Sequence, residues 1–181
     1  VAQAQEAVSG ANALAASTTL SGYVSSHYSV NDSATTATDD KFSLDVVDLK
    51  LASAQGAGEY ATGYTVELWA GDDAGGLGTT GAGTVELYQA NIDLRVPVGN
   101  GLDLKIGQFT TVVGAESSNR NENPFWNRSQ GFDIEPTHHT GILGSYQMSD
   151  DLGVKLGLVN DTQNNTSNED LGGTAYLVRV D

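Results

Sequence analysis

Cysteine is absent from the 181 residues, which excludes a disulfide framework and any thiolate metal or redox centre. Methionine occurs once and proline three times. Basic residues are scarce: eight Lys and Arg against 23 Asp and Glu leave a formal net charge of -15. That balance argues against a nucleic-acid partner or an anionic membrane surface, since both need clustered cations. No apolar run approaches the roughly 18 residues of a spanning helix. No stretch reads as a signal peptide, and the chain opens on Val1, as a processed or truncated chain does. Only 17% of residues are charged, and the space is taken by 22 Gly together with Ser, Thr and Asn. What is left is acidic, β-rich and helix-poor, and long enough for one domain with a sizeable core.

Residues 1–16 (VAQAQEAVSGANALAA) are Ala-rich and almost uncharged, and predict a short helix, a tether or a plug. Beyond them the pattern alternates by two between turn formers, as in strands. Eight strands are expected, at about 18–30, 42–53, 58–70, 84–97, 101–112, 138–148, 151–160 and 173–180. The connections at 54–57, 98–100 and 149–150 are short and rich in turn formers, whereas 31–41, 71–83, 113–137 and 161–172 are long. Strict alternation of short and long links is what an antiparallel meander produces when all its turns lie at one end.

Charge follows strand parity. Val47, Leu49 and Leu51 oppose Asp48 and Lys50; Tyr60, Tyr64, Val66 and Leu68 oppose Glu67, with Trp69 on the Glu67 side. Tyr88, Ala90, Ile92, Leu94 and Val96 oppose Gln89, Asn91, Asp93 and Arg95. Leu102, Leu104 and Ile106 oppose Asp103 and Lys105; Leu152, Val154, Leu156 and Leu158 oppose Lys155; Tyr176, Val178 and Val180 oppose Arg179. A one-residue slip would move every one of these charges to the greasy face. A secreted soluble β-sandwich, acting as a binding or surface-layer module, would alternate in the same way. Three features favour a transmembrane β-barrel with short periplasmic turns and long outer loops: the alternating link lengths, strands of about 10 residues, and tyrosines near strand ends.

The segment 99–161 is the most distinctive. It carries the strand GLDLKIGQF, then Gly114-Ala115-Glu116, Asn127-Arg128-Ser129, Pro136 ahead of His139-Thr140-Gly141, a strand with Tyr146, and Leu158-Val159-Asn160. Together with the opening Leu20-Ser21-Gly22-Tyr23, it resembles the OmpL-like β-barrel porins of Gram-negative bacteria. The resemblance implies an outer-membrane pore for passive diffusion of small hydrophilic solutes, with membrane lipid as neighbour, no chemical step and no cofactor. Members are usually longer. Eight strands alone would close on a side-chain-filled interior, and the chain stops at Asp181 without a terminal aromatic, so the N-terminal half of a larger barrel is expected. The assembly expected is a homo-oligomer, a trimer.

On this basis the lumen-facing residues are Asp48, Lys50, Glu67, Asp93, Arg95, Asp103, Lys105, Lys155 and Arg179. The 113–137 loop is expected to fold inward as a constriction carrying Glu116, Arg120, Glu122, Arg128, Asp133 and Glu135. Acids outnumber bases there, which predicts a mild preference for cations. Phe125-Trp126 in the same loop argues that it packs on something.

Other signals carry less. Gly76-Leu77-Gly78-Thr79-Thr80-Gly81 matches GxGxxG but precedes no helix, so it predicts no dinucleotide site. His138-His139 would point to opposite faces of a strand, and no third metal ligand is evident. Asp72-Asp73 and Asp161–Asn165 are oxygen-rich loops, better read as solvated than as cation sites. The sequons at Asn31, Asn127 and Asn160 are expected by chance in so Asn- and Ser-rich a chain. No nucleophile arrangement appears, and the loop carboxylates have no evident enclosed cleft to make them hydrolytic.

Overall fold

In the computed structural model, residues 16–30, 41–76, 85–160 and 173–181 are described. The expected segment at 1–16, save its last residue, lies outside these residues, as do most of GxGxxG and Asp161–Asn165. Eight strands form one antiparallel sheet in sequence order: β1 (Thr18–Ser29), β2 (Lys41–Ser53), β3 (Thr62–Ala70), β4 (Val85–Val96), β5 (Leu102–Thr110), β6 (His138–Ser149), β7 (Leu152–Asn160) and β8 (Thr174–Val180). Among the described residues each strand pairs only with its sequence neighbours, and the sheet is open, with unpaired edges on β1 and β8. No described helix is long and apolar enough to cross a membrane. The strands β1 to β7, at 9–13 residues, reach the roughly 9–11 that a tilted spanning strand needs.

The short links are tight turns. The Gly101 N–H donates to the Val98 carbonyl at 3.0 Å across β4–β5, with Gly99 at φ +58. The third strand starts at Thr62 rather than at 58 because the chain turns first: the Ala61 N–H donates to the Gly58 carbonyl at 3.2 Å and Tyr60 takes φ +57. A five-residue helix, α1 (Asp72–Gly76), opens the β3–β4 link.

One face of the sheet is apolar and uncovered. Leu20 (63% exposed), Val24, Leu44, Leu49, Leu51, Leu87, Ile92 (57%), Ile142, Leu156 (58%), Leu158 and Val178 all stand out from it. Among the described residues no second sheet packs on this face, so the stacked pair of a sandwich is not the architecture. Soluble monomers rarely tolerate an apolar surface this continuous. Hydrocarbon does.

Three bulges adjust the two-residue period. Register shifts fall at Ser25/Ser26 opposite Val46/Leu44, at Glu67/Leu68 opposite Gln89/Leu87, and at Gln147/Ser149. Each inserts one residue and reverses parity beyond it. Asp45 and Val46 are therefore both buried, and so are Tyr88 and Gln89. Tyr88, expected with the apolar set, instead stacks flat on Trp69 (ring centroids 3.9 Å, planes 5° apart) on the polar side.

Candidate functional site

The nine strand residues expected on one side do share a face. Cross-strand pairs place Asp48 beside Trp69, Lys50 beside Glu67, Asp93 beside Lys105, Arg95 beside Asp103, and Lys155 beside Arg179, all in one parity. Most of the charges find partners. Lys105 Nζ lies 2.8 Å from Asp93, Arg95 3.3 Å from Asp103, and Lys50 3.3 Å from Glu67. Lys155 and Arg179 both lie 2.5 Å from Asp181. Glu67 is fully buried and also accepts from Trp69 Nε1 at 3.0 Å and Gln89 Nε2 at 2.9 Å. A carboxylate so placed is tolerated because three donors satisfy it.

The polar face is not uniformly wet. Phe109, Leu143, Val159 and Leu177, in the same parity as Lys105, Ser145, Lys155 and Arg179, form a buried apolar cluster on it. Toward the long-loop end a second cluster unites Val46, Trp69, Ala74, Tyr88 and Phe132. Phe132 belongs to the 113–137 loop, so that loop lies against the polar face.

Further contacts fix its path. Rooted on β5 and β6, the loop reaches β1, four strands away and about 19 Å along a sheet with 4.8 Å between strands. There the Tyr23 hydroxyl donates to Asn119 Oδ1 at 3.3 Å, and Trp126 meets the His27 ring edge-on at 5.6 Å. His27 Nδ1 in turn donates to buried Asp45 at 2.5 Å. Arg120 grips Asp73 of α1 with two bonds, Nε to Oδ2 at 2.6 Å and Nη2 to Oδ1 at 2.7 Å. The Arg120 guanidinium also sits 4.5 Å over the Trp126 ring. Arg128 approaches the same carboxylate at 3.8 Å, lies over Phe132 at 4.8 Å, and donates to the Ser118 carbonyl. The Asp73 hydrogen bond holds the Arg120 pKa above its ordinary value, while burial pulls that of Arg128 down despite the nearby Asp73.

The loop acids divide differently. Glu116 accepts from the Ser129 N–H at 3.1 Å and from its hydroxyl, closing one leg of the loop on the other. Glu122 accepts from Ser117 Oγ at 2.6 Å and Asn119 Nδ2 at 3.3 Å. Asp133 is exposed, and Glu135 is half-buried against Gly114. The six expected loop residues are thus not one ring. The two arginines converge on Asp73, and the acids are spread along the legs. Of the aromatic pair expected to pack, Trp126 does, whereas Phe125 is 77% exposed and Phe132 takes the buried place. Asp73, the residue that fastens the loop, reads in sequence only as part of an acidic loop; no local signal marks its partner 47 residues on. Among the described residues no group of His, Asp and Glu could hold a metal ion.

An uncovered apolar face, a polar face bearing the strand charges and a long loop laid across that face define the wall of a transmembrane β-barrel. A family model described as "Putative beta-barrel porin-2, OmpL-like" matches residues 17–181. The chain belongs to this β-barrel porin family. No curated protein and no solved structure matches closely enough to add to that assignment.

Proposed function

We propose that the chain walls an outer-membrane channel through which small hydrophilic solutes and ions diffuse, with a mild preference for cations. The observation that carries this is the loop 113–137 lying across the same face that bears Asp48, Lys50, Glu67, Asp93, Arg95, Asp103, Lys105, Lys155 and Arg179. A loop so placed narrows the space that this face encloses. The cation preference follows from which charges stay uncompensated. Arg120 and Arg128 are committed to Asp73, whereas Glu122 and Asp133 are exposed and bonded, if at all, only to neutral groups. Carboxylates of this kind at a narrowing set a negative local potential. Strand pairing satisfies the backbone in hydrocarbon once the edges of β1 and β8 are joined, and the outward Leu, Ile and Val side chains meet acyl chains.

Reversal potentials in planar bilayers across a tenfold KCl gradient test the proposal. The expected sign is that of a K+-preferring conductance, with Glu122→Gln plus Asp133→Asn moving it toward zero. Anion preference would overturn the charge argument, and absence of any conductance would overturn the channel.

A further inference from the structure

Counting by two along β5 puts Gln108 on the same face as Leu102, Leu104 and Ile106. A primary amide among hydrocarbon side chains is costly unless its N–H groups are satisfied. Gln108 is half-buried, and its Nε2 donates to two carbonyls of β4, that of Leu87 at 2.8 Å and that of Tyr88 at 3.2 Å.

Those two carbonyls mark the bulge. Successive carbonyls of a regular strand point to opposite neighbours, so one nitrogen could not reach both. Here Tyr88 is the inserted residue, between Leu87, paired with Leu68, and Gln89, paired with Glu67. The insertion brings both carbonyls within reach of one side chain of β5. The backbone of β5 does not take them: among the described residues the β4–β5 ladder ends at Ala90 and Gln108, while β4 runs on to Val85. The side chain of the last rung thus supplies the donors that further rungs would have supplied. From the polar face the same rung is fixed again. Asn91, 4% exposed, donates through Nδ2 to the Gln108 carbonyl at 3.1 Å and accepts from Lys105 Nζ at 3.0 Å.

What the bulge does is turn Tyr88. Its ring lies flat on Trp69 and meets His138 edge-on at 4.4 Å. Trp69, Tyr88 and Val46 form the socket that receives Phe132 of the long loop. Were the bulge to relax, Tyr88 would revert to the apolar parity that alternation gives it, and the socket would lose a wall.

We propose that Gln108 is a positioning residue for the loop: its amide fastens the bulge from the apolar face, holds Tyr88 inward and so keeps the seat of Phe132 intact. The proposal deepens the channel reading and rests on it only for the effect on conductance.

The full chain, refolded into vesicles, is compared as wild type, Gln108→Met, Gln108→Glu and Ile106→Met. Met has about the length of Gln without a donor and suits hydrocarbon, while ionised Glu keeps the shape but only accepts. The reporter is the near-ultraviolet circular dichroism of the Trp69–Tyr88 stack, defined as the band that Tyr88→Leu abolishes. Both Gln108 variants should lose most of this band and keep the far-ultraviolet β spectrum. Proteolysis within 118–130 should quicken about tenfold, as the loss of two hydrogen bonds allows. Ile106→Met, two residues away on the same face, should change neither. A wild-type band and wild-type cleavage in Gln108→Met would overturn the proposal. Loss of the β spectrum in both Gln108 variants would overturn it too, by making Gln108 a prop of the whole sheet. A lost band and faster cleavage with unchanged single-channel conductance and noise would uphold the positioning role and sink the loop as a constriction. Wild-type protein that shows the band but never conducts would sink the channel, with the role of Gln108 still decided by band and cleavage.

Discussion

Asp73 is a small residue with a long reach. It sits in α1 after β3, is 8% exposed, and receives two bonds from Arg120 and the approach of Arg128. Removing one partner of a buried ion pair leaves the other charge uncompensated, which costs more than the pair contributes. For this partly exposed pair we expect Asp73→Asn to weaken the seating of the loop by about 2 kcal/mol, or roughly thirtyfold in its released population. Limited proteolysis within 118–130 on folded protein should quicken accordingly, and single-channel traces should become noisier. Asp133→Asn, on an exposed carboxylate of the same loop, should change neither. Unaltered proteolysis of Asp73→Asn would mean that Phe132, inserted among Val46, Trp69 and Tyr88, holds the loop by itself.

At the scale of elements the decisive property is which way a strand turns its side chains. Leu156 stands 58% exposed on β7 next to inward-facing Lys155 and Gly157. Leu156→Arg should destabilise the folded protein in lipid by about 2–4 kcal/mol, the cost of a cation near mid-bilayer, as read by a urea titration of refolded protein in vesicles. Ser145→Arg, on the charged face beside Asp103 and Lys155, should cost well under half of that. Such parity is legible in the sequence because six of the eight strands carry a charge that fixes their phase: Asp48, Asp93, Lys105 and Lys155 leave no second register, whereas β1 and β6 take theirs from their neighbours. The strand bounds it predicts lie within two residues of those observed, except for the start of β3. What alternation could not show is where the period breaks. At Asp45 and Tyr88 one inserted residue turns the chain, and Tyr88, expected on the apolar face, stacks on Trp69 instead. The loop was legible in extent and in the types of charge it carries, but not in its fastening. Asp73–Arg120 and Phe132–Trp69 join residues 47 or more apart, and tertiary packing alone selects them. Gly107 shows the same limit. Its φ of +124 brings the Ala90 carbonyl to within 2.3 Å of where a Cβ would stand, a close approach that composition records only as one more glycine.

Taken as a whole, the molecule distributes its charge unevenly along the strand direction. Lys50, Arg95, Lys105, Lys155 and Arg179 all lie in the half nearer the short turns, where Glu67, Asp93, Asp103 and Asp181 pair with them. Asp45, Asp48 and Glu86 lie toward the long loops, as do Glu116, Glu122, Asp133 and Glu135, against Lys41 and the two arginines already bound to Asp73. With Glu59, Asp150 and Asp151 of the short links added, one end is only mildly negative among the described residues and the other strongly so. On the channel reading proposed above, a conduit built this way would behave as a leaky diode: mobile K+ would accumulate under one polarity and be depleted under the other. With the protein inserted in one orientation and identical KCl on both sides, the current at +100 mV should differ from that at -100 mV, and the asymmetry should fade as salt rises and the Debye length shrinks.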